Sequence, residues 1–429
     1  MARMLFSFLL MSCCLYLQAQ RTDSFLLNLL YRVNHPAINK VINDPQTYRV
    51  QIIYTQINRD KHNKPSFTNY YFNFDPELYF NPASTVKMPL AFLSLEKLNQ
   101  INIKGVNKYT PMQFDSSYAG QRPLYKDTTA QNGLPSIAQF IRRAFLISEN
   151  DPYNRMYQFV GQQTINRNLH AKGYKDVRIT RQFMGFTPEQ NRHTNPIRFI
   201  KEDGSLIYAQ PAAYNTDTFD FSRKIKIGKG YLNKNDSLIN QPFDFTEHNN
   251  LSLLDLQQML QSVLFPESVP AKQRFDLGKE DYQFLYQYLS QYPSETPYPK
   301  YDTAHFYDSY VKFFFHDSTH KMPPNIRVFN KVGWAYGFST DVSYVIDFKN
   351  KVEFMIATTV YTNSDGILND NKYDYETIAL PFTYQLGQAI YQYELARPRK
   401  YKPDLTAFKI NYEHRDPADK RKALTEVDN

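Results

Sequence analysis

Cysteine is almost missing from the 429 residues: the only two, Cys13 and Cys14, are neighbours near the start. Past them no disulfide can staple the chain, and neither a cysteine nucleophile nor a cysteine metal site can form. Blocks of lysine or arginine are missing too, so the formal charge of +8 and the pI near 9.0 read as a diffuse background that favours anionic surroundings, not as a nucleic-acid surface. The chain has no H-E-x-x-H and no G-x-S-x-G, which removes the zincin helix and the nucleophile elbow, and no internal repeat. The nearest approach to a metal motif is His316 and His320 in "HDSTH", spaced i, i+4 but in a polar segment with no third ligand in view. It reads as a loop, and neither metal nor cofactor is expected.

Apolar residues are plentiful, at 42%, and Tyr 34 with Phe 32 makes core and surface strongly aromatic. Arg3, a mostly apolar run from Met4 to Leu17, then small and polar residues form an export signal, too short to span a membrane permanently. Cleavage after Ala19 would leave Gln20 first and a periplasmic or secreted product. The competing reading takes Leu10 to Cys13 as a lipoprotein signal with a lipid anchor on Cys13, a pattern that Met11 fits poorly. Serine is then the expected nucleophile.

The hydrophobic period changes twice. "YRVQIIYTQI" (48–57) and "FTNYYFNFDPELYF" (67–80) alternate partially and are rich in aromatic and β-branched residues, as strands are. Helical patterns follow from Leu90 to about 324, interrupted by a polar, Tyr-rich insertion near 195–246. Strands return in "FSTDVSYVIDF" and "KVEFMIATTVYT" around a turn at Lys349 to Lys351, and a closing helix precedes a charged tail, 401–429. The expected fold is α/β of the α+β kind: one antiparallel sheet built from both chain ends (about 22–95 and 325–395), flanked by helices, with an inserted, mainly helical lobe (about 96–324) in a single unit spanning 20–400. Functional residues belong in the cleft where sheet and lobe meet.

"NPASTVKMP" (81–89) leaves that first sheet segment and enters a helix. Ser84 there has two readings. It is a helix N-cap, with Lys87 an ordinary first-turn lysine, or it is a nucleophile whose i+3 neighbour Lys87 is a base once its charge is suppressed. Two further short motifs bear on the choice: "LISENDPYN", with Ser148, Glu149 and Asn150, and "NKVGWAYGFSTDV", with Lys331, Gly333 and Trp334. In this order and frame they resemble the S-x-x-K, S-D-N and K-T-G set of class A β-lactamases and penicillin-binding proteins, from about residue 25 to 395. The resemblance implies that Ser84 attacks a carbonyl with Lys87 as base, and that Ser148 relays a proton to the leaving group. Asn150 holds a substrate amide and orients Lys87, Lys331 supplies positive charge, and Glu149 turns inward as structure. The backbone N–H groups of Ser84 and Trp334 form the oxyanion site.

The departures from that pattern matter as much. Aligning "ITRQFMGFTPEQN" on the family's W-E-P-E-L-N loop puts Phe186 on the Trp, Thr187 on the glutamate that activates water, and Pro188, Glu189 and Asn191 on Pro, the second Glu and Asn. Val332 replaces a hydroxyl-bearing residue, and Thr340 stands where many β-lactamases carry an arginine. The sequence therefore predicts an exported serine hydrolase or acyltransferase that acts through a Ser84 acyl-enzyme on a small-molecule or cell-wall peptide substrate and is a poor β-lactamase. Two alternatives stand beside it: a true class A β-lactamase using Glu189, and a non-catalytic module that holds a cell-wall peptide or glycan.

Overall fold

Strand Gln51–Arg59 pairs antiparallel with Val352–Tyr361, Gln51 opposite Thr359 and Gln56 opposite Phe354, so the sheet is built from both ends of the chain as its alternation predicts. In the computed structural model, which describes residues 20–427, the strand order is 326–335, 338–347, 352–361, 51–59, 65–72, all antiparallel. The export segment and Cys13 lie outside the described residues.

Both faces of this sheet are covered, which is why the sequence alternates only partially. Ile53, Ile57, Phe329, Val342, Tyr344, Met355 and Ala357 point into the core beneath the lobe. Ile52, Tyr54, Val328, Val345, Phe354 and Ile356 point the other way, onto the terminal helices Ser24–Val33, Pro36–Ile42 and Leu380–Ala396. One layer of terminal helices, the sheet and the helical lobe are therefore stacked in that order. None of the described helices is long and apolar enough to cross a membrane.

The lobe contributes Lys87–Ile101, Ile137–Leu146, Asn150–Val160, Gln162–Ala171, Leu253–Leu264 and Lys279–Ser290. Ser136 and Ser252 cap two of these helices, each accepting from the backbone N–H three residues on. The helical pattern expected up to about 324 stops at Ser290 instead. Pro293, Pro297 and Pro299 follow, and each removes an N–H that a helix needs, so this stretch turns and bends until strand Ile326–Ala335 begins. The Tyr-rich insertion is not structureless: Ile197–Ile200 pairs with Met112–Phe114 and Leu206–Gln210, and Gly230–Leu232 pairs in parallel with Ile367–Leu368.

The tail is docked along the lobe: Phe408 is buried in the main core, Glu413 pairs with Arg142 at 2.8 Å, and Leu424 exchanges backbone hydrogen bonds of 2.8 Å with Lys300 and Asp302.

Closing helix Leu380–Ala396 crosses Phe314 closely at Gly387, where an added Cβ would lie 2.6 Å from the Phe314 carbonyl oxygen. Alanine is the better helix former, yet Gly387→Ala is expected to destabilise the protein by about 1–3 kcal/mol through this overlap. Thermal unfolding checks it; an unchanged or raised midpoint contradicts the packing described.

Candidate active site

Pro82 and Asn81 turn the chain out of the sheet, and the Asn81 side chain accepts from the Ala83 N–H at 2.8 Å. A tight turn over Ala83–Val86 then feeds the helix that begins at Lys87. Asn81 thus fastens the entry to the turn, and the Ser84 hydroxyl caps neither the turn nor the helix. Ser84 Oγ lies 2.7 Å from Lys87 Nζ instead.

Lys87 is fully buried, and its amine meets two acceptor-only oxygens, the Ser148 carbonyl and Asn150 Oδ1, the latter at 2.8 Å. Burial, reinforced by Lys331, holds this amine well below the ordinary lysine range against an opposing pull from Glu149. In the neutral amine two hydrogens serve those two oxygens, and the lone pair is left for the Ser84 hydroxyl. Geometry and charge therefore agree on a base.

Ser148 sits between two lysines, its Oγ 3.4 Å from Lys87 Nζ and accepting from Lys331 Nζ at 2.8 Å. Lys331 also donates to the Val332 carbonyl at 2.7 Å; burial lowers it to about 7, Asp341 resisting and Lys312 assisting. Glu149 turns away from the cleft, where its carboxylate pairs with Arg143 and accepts from the Tyr301 hydroxyl at 2.7 Å. Asp127 meets the same guanidinium at 3.1 Å. Gly333 is forced by contact: a Cβ there would stand 2.6 Å from the Pro82 oxygen and 2.9 Å from the Ser84 nitrogen, so the strand can press on the nucleophile turn only without a side chain.

These groups open onto a cleft of about 570 Å³ whose lining includes Ser84, Ser148, Asn150 and Trp334 together with Arg181 to Gly185, His248, Asn249 and Tyr336. Three non-glycine residues of the site region have left-handed backbone: Ala83 (φ 45°), Ser148 (φ 68°) and Tyr336 (φ 53°).

Residues 186–191, aligned on the family's water-activating segment, do not line this cleft, although the preceding residues of the same loop do. Thr187 is exposed and its Oγ accepts from the Gln190 N–H at 3.2 Å; Glu189 is exposed and faces His193 at 3.2 Å; Asn191 is buried, fastening the loop by accepting from the Gln182 N–H at 2.8 Å. Phe183 takes the inner position, its ring 5.3 Å from Lys87 Nζ. Thr340, where an arginine was looked for, spends its hydroxyl on Thr359 at 2.8 Å inside the sheet. Among the described residues no carboxylate lines the cleft. His316 and His320 pack around Tyr307, which stacks on His320 at 3.8 Å. Arg181, His248 and Tyr336 escaped the sequence reading because no periodicity places loop residues on a wall.

Strand 326–335 sets the spacing of the whole arrangement. Gly333→Ala is expected to destabilise the protein by about 1–3 kcal/mol and, by displacing the nucleophile turn, to slow covalent labelling of Ser84 by about 10²-fold. Melting curves and labelling rates measured side by side check both effects.

Residues 35–213 match the beta-lactamase enzyme family, a span that includes the first two motifs and the Thr187 loop. No curated protein matches the chain. Among solved structures, a β-lactamase from Sphaerobacter thermophilus is 13% identical, with a TM-score of 0.45, over 87% of this chain and 98% of that one. A mutant of PBP-A, in an acyl-enzyme complex with penicillin G, is 12% identical, with a TM-score of 0.45, over 87% and 98%. An ancestral class A β-lactamase is 11% identical, with a TM-score of 0.45, over 85% and 99%. The matched span carries Ser84, Lys87 and Ser148, and the strand beyond it brings Lys331 onto the same hydroxyl, so this part of the chain is similar to the beta-lactamase enzyme family and the arrangement is the kind a serine hydrolase uses.

Proposed function

We propose that the protein is an exported acyl-transfer enzyme in which Ser84 forms an acyl-enzyme with an amide or ester substrate, cell-wall peptides being the class that export and positive charge favour. The observation that carries this reading is the fully buried Lys87 amine, 2.7 Å from Ser84 Oγ and held by burial well below the ordinary lysine range.

Lys87 takes the hydroxyl proton as Ser84 Oγ bonds to the carbonyl carbon, and the carbonyl oxygen becomes an oxyanion held by the backbone N–H groups of Ser84 and Trp334. The bond to the leaving group then breaks as its nitrogen or oxygen takes a proton from Ser148 Oγ. The proton on Lys87 refills Ser148 across the 3.4 Å between them, and Lys331 stabilises the charge that passes through that hydroxyl.

Alanine at Ser84 or at Lys87 is expected to abolish labelling by a fluorophosphonate or a fluorescent penicillin without unfolding the protein; labelling that survives in Ser84→Ala refutes the assignment. Among the described residues the cleft offers no carboxylate to activate water, and loss of a general base typically costs about 10²- to 10⁴-fold. Intact-mass analysis should therefore show a persistent β-lactam adduct, and Thr187→Glu, on the exposed side of its loop, should leave its lifetime unchanged. Rapid nitrocefin turnover by the wild type would restore the β-lactamase alternative.

The acylation rate should also depend on pH through Lys331. The pKa is depressed to about 7, so its positive charge is present below that value and lost above it, and acylation should decline as pH rises through about 7. Lys331→Arg, which keeps its charge, should move that limb upward by more than about one unit. A pH profile of the second-order acylation constant decides it.

A further inference from the structure

Arg181 is the one cation in the wall of the cleft facing the strand, and among the described residues no carboxylate pairs with it. Its backbone is pinned at both ends. The N–H donates to Asn249 Oδ1 at 3.1 Å, and the carbonyl accepts from the Tyr153 hydroxyl at 2.8 Å and from Asn249 Nδ2 at 3.3 Å.

The side chain has a single partner, His248, whose Nε2 lies 2.6 Å from Nη1. A guanidinium has no acceptor, so Nε2 must accept and the ring proton must sit on Nδ1. Burial, with Arg181 beside it, pushes His248 down to about 3, and the ring is therefore neutral and cannot compensate the arginine's charge. Phe243, Phe245 and Tyr336 hold the ring in place, with centroids 4.9–5.9 Å away. Nε and Nη2 of Arg181 have no protein partner among the described residues and are not sealed from solvent. A guanidinium fixed by backbone and side chain, left without a counter-charge and lining the cavity that holds the nucleophile, is prepared for a planar anion.

The side of the substrate that reaches it follows from the acylation geometry. Of the four groups on the tetrahedral carbon, one is Ser84 Oγ, one the oxyanion between Ser84 and Trp334, and one the leaving group at Ser148. The fourth, the acyl chain, is left the cleft-lining residues that those three groups do not engage, among them Arg181, His248 and Asn249. Resting on the acyl-enzyme reading above, we infer that Arg181, tethered by His248, is the subsite for a carboxylate carried on the acyl portion of the substrate. The enzyme would thus select acyl donors with an anionic side chain and discriminate against uncharged ones.

Two penicillins that differ only there test it: α-carboxybenzylpenicillin, with a carboxylate on the acyl side, and benzylpenicillin, without one. The second-order rate of Ser84 acylation is measured by intact mass for wild type, Arg181→Lys and Arg181→Gln, each checked by its melting curve. The wild type should prefer the acyl-side carboxylate by about 10- to 100-fold, the Lys variant should keep part of that preference, and the Gln variant should lose it. No preference in the wild type overturns the inference, as does a Gln variant that slows both penicillins equally or unfolds while the Lys variant also shows no selectivity. Fluorophosphonate labelling of Ser84 with neither penicillin reacting overturns it while sparing the nucleophile. Failure of all three reagents on Ser84 overturns the acyl-enzyme reading itself.

Discussion

Everything at this site depends on one amine being buried without a counter-charge. Moving a lysine out of water disfavours its ammonium form, and around Lys87 the protein supplies only neutral acceptors, the Ser148 carbonyl and Asn150 Oδ1. The nearest carboxylate, Glu149, would undo this by stabilising the ammonium. It is turned away and committed to Arg143, which Asp127 also engages. Under the proposed reaction that ion pair would act on catalysis without touching substrate, by keeping a negative charge from facing Lys87. A second lysine, Lys331, pushes in the same direction and is itself balanced by buried Asp341, raised to about 6, which accepts from Asn330 at 2.9 Å and from Ser343 at 2.8 Å.

Placing these groups costs backbone freedom. Left-handed conformations are unfavourable by roughly 1–2 kcal/mol for a residue with a side chain. Three such residues, Ala83, Ser148 and Tyr336, belong to the turn that carries Ser84, the hydroxyl between the two lysines and the cleft lining. Each is over-determined by its surroundings. Asn81 clamps the turn at Ala83, the Glu149 ion pair anchors the chain beyond Ser148, and Tyr336 with Gly337 makes the tight reversal between strands 326–335 and 338–347. Such strain survives where the rest of the fold holds it, and here it aims two hydroxyls and a ring into one cavity.

The sheet from both ends was legible because strands announce themselves by alternation, and the Ser84–Lys87 pair because i, i+3 is a fixed spacing on a helical turn. Ser148 and Lys331 were legible only as motifs; that they meet at 2.8 Å is a fact of tertiary packing. Which residues of the loop 179–191 face the cleft was not legible, for a physical reason. An alignment on Pro188 and Glu189 fixes which residues correspond but not which face inward, and in an irregular segment no period converts one into the other. Phe183 faces Lys87, while Thr187 and Glu189 face solvent. The same lack of period hid Arg181 and His248.

That loop arrangement bears on how an acyl group would leave Ser84 under the proposed reaction. Once the ester has formed, both hydrogens of the Lys87 amine are again held by carbonyl oxygens, and its lone pair faces the ester oxygen. With no carboxylate lining the cleft among the described residues, the polar path that remains is the one by which the leaving group would depart, past Ser148 Oγ and Lys331. An incoming amine or alcohol on that path would give its proton to Ser148 as Ser148 passed one to Lys87, the acylation steps run backwards with a different partner. Water could follow the same route, but it has no apolar body to bury against Trp334 or Phe183 and so gains no binding energy that would hold it there. A nucleophile with a side chain does, and under the proposed reaction that difference would favour transfer over hydrolysis.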